Sequence, residues 1–244
     1  MKDRFSEQSD AYLQFRPSIP SEVFDFIFKL LPDMDRAWDC GTGNGQVARH
    51  LAEVFKSVEA TDISQSQLDK AYRYPNIRYS RQPAENTDFP DQTFDLITVS
   101  QAIHWFDFEQ FYKEVKRTGK KGGILAVMGY GLLSIHPEID QIIQLLYSET
   151  LKGHWDPERK YIDENYLTIP FPFPEIDSPQ FKQTLNWSLT QLVGYLETWS
   201  AVKNYQRHTG KQALYLIKQD LRDSWGKEEV KSVTFPILLR VGRL

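Results

Sequence analysis

The chain has one cysteine, Cys40, among 244 residues. A single thiol excludes an intrachain disulfide, a paired-cysteine zinc site and the cysteine set of an iron–sulfur centre, and it fits a reducing compartment. No stretch approaches the eighteen or so apolar residues that a membrane span requires, and the opening Met1-Lys2-Asp3-Arg4-Phe5-Ser6-Glu7 is too polar for a signal peptide. A cytoplasmic protein with no membrane partner is therefore expected. The sequence also lacks an internal repeat, a Gly/Ser linker and any massed run of Lys and Arg; its net charge is −4. Such a surface does not follow a phosphate backbone, so no nucleic-acid partner is expected. His50, His136, His154 and His208 show no ligand spacing, and no metal site is expected.

With 41% hydrophobic and 25% charged residues, the composition is that of a globular chain long enough to bury a substantial core. The central stretch is Arg36-Ala37-Trp38-Asp39-Cys40-Gly41-Thr42-Gly43-Asn44-Gly45-Gln46-Val47, an apolar run, a glycine loop and the start of an amphipathic helix. Glycine there permits positive φ and lets a ligand approach bare main chain, while the helix start offers free N–H groups. A dinucleotide fingerprint would place its third glycine at 46, where Gln46 stands, so the spacing disfavours a nicotinamide cofactor.

Strand-like and helix-like patterns alternate through the first half. Ser21 reads as the cap of a helix carrying Val23, Phe24, Ile27, Leu30 and Leu31, and strands are expected at Trp38–Cys40, Ser57–Asp62, Ile77–Ser80, Phe94–Ser100 and Ile124–Met128. Asp107 reads as the cap of the helix before the fifth strand. Five such alternations predict a doubly wound, mostly parallel sheet with right-handed crossovers. Beyond it come a helix around Glu138–Leu151, a proline- and aromatic-rich stretch with Ile169-Pro170-Phe171-Pro172-Phe173-Pro174, a strand at Phe181–Trp187, helices at Thr190–Ser200 and Lys211–Trp225, and a last strand at Val233–Gly242. Pro236 suggests that this last strand lies at an edge or a bulge. The count is seven strands. We read one domain, with residues 1–32 as N-terminal lid and first helix, 33–129 as binding core, 130–180 as a helical and irregular cover, and 181–244 completing the sheet.

Asp62 ends the second strand 17 residues after Gly45, where a carboxylate can accept ribose hydroxyl protons. Ala84-Glu85 follows the third strand, and Ser100-Gln101-Ala102 follows the fourth. The ordered set Trp38-Asp39-Cys40-Gly41-Thr42-Gly43-Asn44-Gly45, Asp62-Ile63-Ser64, Ala84-Glu85 and Phe94-Asp95-Leu96-Ile97 with Ser100-Gln101-Ala102 resembles the class I S-adenosylmethionine-dependent methyltransferases. Outside it, Tyr12 with Arg16-Pro17, His104-Trp105-Phe106, and Tyr195-Leu196 with Trp199-Ser200 resemble the small-molecule branch of trans-aconitate methyltransferase-like proteins, methyltransferase type 11.

That resemblance implies S-adenosylmethionine as cofactor and methyl transfer by in-line displacement to a small-molecule acceptor, a carboxylic acid among the candidates. It implies cofactor contacts from Asp39, Gly41, Thr42, Gly43, Gly45, Asp62, Ile63, Ala84, Glu85, Ser100, Gln101 and Arg16. It also implies substrate contacts from Tyr12, Trp105 and Tyr130, and His104 as the catalytic group. A chain of this kind is expected as a monomer or homodimer. An RNA or protein methyltransferase and a non-catalytic binder of the same cofactor are the alternatives left open; the absence of an Asn/Asp-Pro-Pro-aromatic run at Ser100-Gln101-Ala102-Ile103 weighs against nucleobase amino groups.

Overall fold

The computed structural model describes residues 15–244. A helix α1 (Ser21–Phe28) precedes the sheet, burying Val23, Phe24 and Ile27. The expected cap is displaced by one position: Ser21 is already helical, and Pro20 with ψ 151° turns the chain into the helix.

The sheet then assembles as β1 (Arg36–Cys40), α2 (Gln46–Ala52), β2 (Ser57–Asp62), α3 (Gln65–Asp69), β3 (Ile77–Arg81), β4 (Phe94–Ser100), α4 (Phe108–Thr118) and β5 (Gly119–Tyr130). These five strands run parallel in the order β3-β2-β1-β4-β5. Their apolar continuity has the expected cause: β4 is buried from Phe94 to Val99 because helices cover both faces of the sheet. On one face Trp38, Phe94, Phe111 and Val115 pack together; on the other, Ile27, Val47, Leu51 and Ala60 do. Trp38 is fully buried and satisfies its indole N–H on Thr61 Oγ1 at 2.9 Å, so its truncation to Ala should cost about 3–5 kcal/mol. Asp107 caps α4 as expected, accepting from the Gln110 backbone N–H at 3.2 Å.

After β5 come α5 (Pro137–Leu145), a wider turn at Leu146–Thr150, α6 (Lys160–Asp163), β6 (Glu175–Ile176), β7 (Phe181–Trp187), α7 (Leu189–Glu197), α8 (Ser200–Thr209), α9 (Lys218–Trp225) and β8 (Lys231–Arg243). Eight strands thus stand where seven were expected, because the two-residue β6 pairs with Gly242 and Val241 of β8. The expected helix over Lys211–Trp225 is also corrected. Gly210, at φ 70°, closes α8, and a short 3-10 turn at Ala213–Leu216 separates it from α9.

Strand β8 is not an edge, contrary to the reading of Pro236. It runs antiparallel to β5 over Ile237–Arg243 and to β7 over Lys231–Ile237. Pro236 sits just beyond the end of β5, where the regular ladder stops and Pro236 takes part only through its carbonyl, which accepts from the Gly131 N–H at 3.0 Å. The end of β5, α5, helices α7 to α9 and the start of β8 build a further core around Tyr130, Ile143, Trp199 and Phe235, while Ile162, Tyr166, Ile169 and Phe173 join the Trp38 side.

Candidate active site

The C-terminal ends of the parallel strands open into one cleft of about 1190 Å³ of empty space, its mouth included. Asp39, Gly41, Thr42 and Gly43 at the end of β1 and beyond it, Asp62 and Ile63 at the end of β2, Ala84 after β3, Ser100 and Gln101 at the end of β4, and Tyr130 at the end of β5 all line it, with Arg16 and Trp105. Ligands of open α/β sheets sit at this edge.

The glycine loop is held from below. The buried Asp39 carboxylate accepts from Thr42 Oγ1, from Thr98 Oγ1 at 2.9 Å and from the Ala48 backbone N–H at 3.1 Å. Burial nevertheless raises its pKa to about 6. Gly43, at φ 56°, faces open space that a ligand could fill, whereas Gly45, at φ 82°, is not on the cleft wall. Its lack of a side chain serves Tyr79 of β3, which packs against it.

Asp62 ties two loops together. One carboxylate oxygen accepts from the Gly43 N–H and the other from the Ser64 N–H, each at 2.8 Å. A carboxylate only accepts, and Asp62 lines the cleft where the hydroxyls of a ligand would donate. Next to it Asn44, only 4% exposed, lines the cleft with an amide nitrogen that has no hydrogen-bond partner among the described residues. A buried donor of that kind is costly unless a ligand completes it.

Several expected contacts need revision. Glu85 is turned away from the cleft, where its carboxylate accepts from the Asp107 N–H at 3.1 Å; Gln82 lines the wall beside Ala84 instead. His104 does not line the cleft either. It is 6% exposed, its ring centroid 4.9 Å from that of Trp105, and its Nδ1 lies 3.3 Å from the Tyr166 hydroxyl. Burial, aided by the charge of Arg159, lowers its pKa to about 3, so it is neutral near pH 7 and too weak a base for proton abstraction. Tyr12 lies outside the described residues.

At the β5 end of the cleft, Arg16 donates to the Tyr130 hydroxyl and to the Thr198 carbonyl, both at 3.1 Å, and stands over the Tyr195 ring at 5.3 Å. Local sequence could not show this clamp, whose parts lie more than a hundred residues apart. Phe24 and His50, stacked at 4.9 Å between centroids, also line the cleft. Burial lowers the His50 pKa. His154 and His208, which share no sequence spacing, meet with Nδ1 atoms 3.2 Å apart, but no group of three potential metal ligands occurs among the described residues.

Residues 38–127 match the family described as a methyltransferase domain. A methyltransferase of Dictyostelium discoideum is 34% identical over 97% of this chain and 93% of its own length. The chain belongs to the class I S-adenosylmethionine-dependent methyltransferases. A solved structure, described as a type II methyltransferase from Anaeromyxobacter dehalogenans, is 39% identical to this methyltransferase, with TM-score 0.87 over 94% of this chain and 98% of that one. An uncharacterised methyltransferase of Mycobacterium tuberculosis is 32% identical over 74% of this chain and 70% of its own. The family implies S-adenosylmethionine as methyl donor. The residues present fit that ligand: an open space at Gly43, paired carboxylate oxygens at Asp62 and a buried unmet donor at Asn44. Among the described residues of this methyltransferase, no helix is long and apolar enough to cross a membrane.

Proposed function

We propose that the protein transfers a methyl group from S-adenosylmethionine to a small-molecule acceptor, with carboxylic acids as the leading class. The observation that carries this reading is a single cleft running along the strand ends from Asp62 to the Arg16–Tyr130 pair. When bound, the cofactor supplies an activated methyl group on a sulfonium.

The chain's own residues supply binding and alignment. Asp62 accepts the ribose hydroxyls, and Ile63, Gln82 and Ala84 flank the adenine. Asn44 offers its unmet amide donor and Gly43 offers room to the amino-acid end, while the Asp39 charge lies beneath it; opposite charges at about 4 Å gain roughly 4 kcal/mol at an effective dielectric constant of 20. Ser100 and Gln101 border the reacting region, and Arg16, Trp105 and Tyr130 form the acceptor end. Holding two reactants in line supplies an effective molarity of about 10⁵ M or more. A carboxylate nucleophile needs no base, which accords with the neutral, buried His104. The likeness of His104-Trp105-Phe106 to trans-aconitate methyltransferase-like proteins points the same way.

Calorimetric titration with S-adenosylmethionine and with NAD tests the donor: binding of NAD alone sinks the proposal. Incubation with methyl-labelled cofactor and a metabolite extract separates an enzyme from a regulatory binder, since only an enzyme consumes the donor when its acceptor is present.

A further inference from the structure

One partly buried hydrogen-bonded chain runs from His104 to the acceptor end of the cleft. Gln101 Nε2 lies 3.1 Å from the Tyr130 carbonyl oxygen, the Tyr166 hydroxyl lies 3.3 Å from Gln101 Oε1, and His104 Nδ1 lies 3.3 Å from that hydroxyl. Its polarity follows from chemistry. A backbone carbonyl only accepts, so the amide nitrogen of Gln101 must face Tyr130. The amide oxygen then faces Tyr166 and can only accept, so Tyr166 donates to it and its hydroxyl oxygen accepts from the Nδ1–H of a neutral His104.

The backbone is held in uncommon conformations to make these contacts. Gln101, Asn165 and Tyr166 have φ of 52°, 54° and 62°, a region that residues with side chains seldom adopt and that clusters at functional sites. The Tyr166 ring packs against Gly129, where a Cβ would come within 2.8 Å of it, and Arg240 grips the Tyr166 carbonyl at 3.0 Å. Packing alone would be served equally by phenylalanine. The hydroxyl is the part that acts on Gln101.

Position decides what that action reaches. The sheet order β2-β1-β4-β5 puts Gln101 two strands and Tyr130 three strands from Asp62, roughly 10 and 14 Å at the usual strand spacing. With a ribose at Asp62, this end meets the acceptor, beside Arg16 and Trp105. Gln101 Nε2 carries a second hydrogen beyond the one given to Tyr130.

We propose that Tyr166 is a positioning residue for the methyl acceptor: by donating to Gln101 it presents the Gln101 amide N–H to the acceptor end of the cleft, where it selects acceptors that offer an oxygen lone pair. The inference rests on the methyl-transfer reading above. An ammonium would meet an N–H dipole and the Arg16 guanidinium, both of the wrong sign; a carboxylate would meet two donors.

The test uses the full chain with methyl-labelled S-adenosylmethionine and matched pairs of small molecules, each carboxylic acid beside the amine of the same carbon skeleton. Wild-type protein should methylate acids in preference to amines. Tyr166→Phe, which keeps the ring on Gly129, should raise the acceptor KM about tenfold, the worth of one misdirected hydrogen bond, with kcat and cofactor affinity within about twofold. Gln101→Glu, of the same size, replaces the amide donor by a carboxylate and should suppress acid turnover. Nitrogen-15 NMR of the histidines should place the His104 proton on Nδ1. Preference for amines, turnover of neither class, an unmoved KM in Tyr166→Phe, or a proton on Nε2 overturns the proposal while cofactor binding by wild type leaves the donor assignment standing. Failure of wild type to bind the cofactor removes both.

Discussion

Gly45 lies against Tyr79: a Cβ on the glycine would stand 2.3 Å from the tyrosine hydroxyl oxygen. The third glycine of the loop is thus required by the neighbouring strand and by its own φ of 82°, away from the cleft wall. Gly45→Ala should lower unfolding free energy by about 1–3 kcal/mol, read by urea denaturation. Tyr79→Phe in that background should recover part of the loss, since the hydroxyl is the nearest atom; purely additive effects would show that the backbone conformation alone matters.

Asp62 has a double task, joining Gly43 to Ser64 while lining the cleft as an acceptor. Asp62→Ala should weaken S-adenosylmethionine binding by at least about tenfold, as expected for loss of one or two charge-assisted hydrogen bonds. Calorimetry measures this directly. An unchanged affinity would remove the ribose assignment.

Asp39 predicts a pH dependence of binding. With a pKa near 6, its carboxyl gains a proton as pH falls below that value, and the attraction for a cationic ligand falls with it. Cofactor affinity should therefore rise with pH through about 6 and level off above, and Asp39→Asn should flatten the profile. Titrations between pH 5 and about 7.5 cover the transition.

His104 and Asp39 should act on stability in opposite senses. The His104 pKa is about 3 in the fold against an ordinary 6.5, so the unfolded chain binds the extra proton between these values. Its contribution is complete above pH 6.5 and is lost as pH falls, by at most about 1.4 kcal/mol per pH unit. Asp39, raised from 3.8 to about 6, binds its proton more tightly in the fold, so its contribution falls as pH rises through that window. Asp39→Asn should steepen the acid loss of stability between about pH 4 and 6, and His104→Asn should reduce it. Chemical denaturation at several pH values distinguishes the two.

Much of the binding core was legible before any coordinates. Strand β4 and the Ile124–Met128 part of β5 read as buried runs because both faces are covered, and Asp62, Ala84 and Gln101 follow from strand ends in order. What escaped detection is non-local or very short. A two-residue strand such as β6 has no periodicity to read. The helix α8 buries only Ala201 and Val202, too few to mark an apolar face. The seclusion of His104 depends on Tyr166, 62 residues further on, and no local pattern distinguishes a buried histidine from one lining a cleft. Glu85 similarly stands at the expected point of the chain but turns to the start of α4.

Strand β8 has a consequence for synthesis. It closes the free edge of β5, pairing Ile237 with Tyr130 across about a hundred residues of intervening chain. At about 5–20 residues per second, a ribosome needs roughly 5–20 s to deliver that partner, and meanwhile Ile124–Met128 remains an apolar template for any passing strand. Arg240, which grips the Tyr166 and Ile169 carbonyls and the Glu175 carboxylate, arrives in the same late segment. The nascent protein therefore passes through an interval in which the binding core is complete and its covering half has nothing to fasten to.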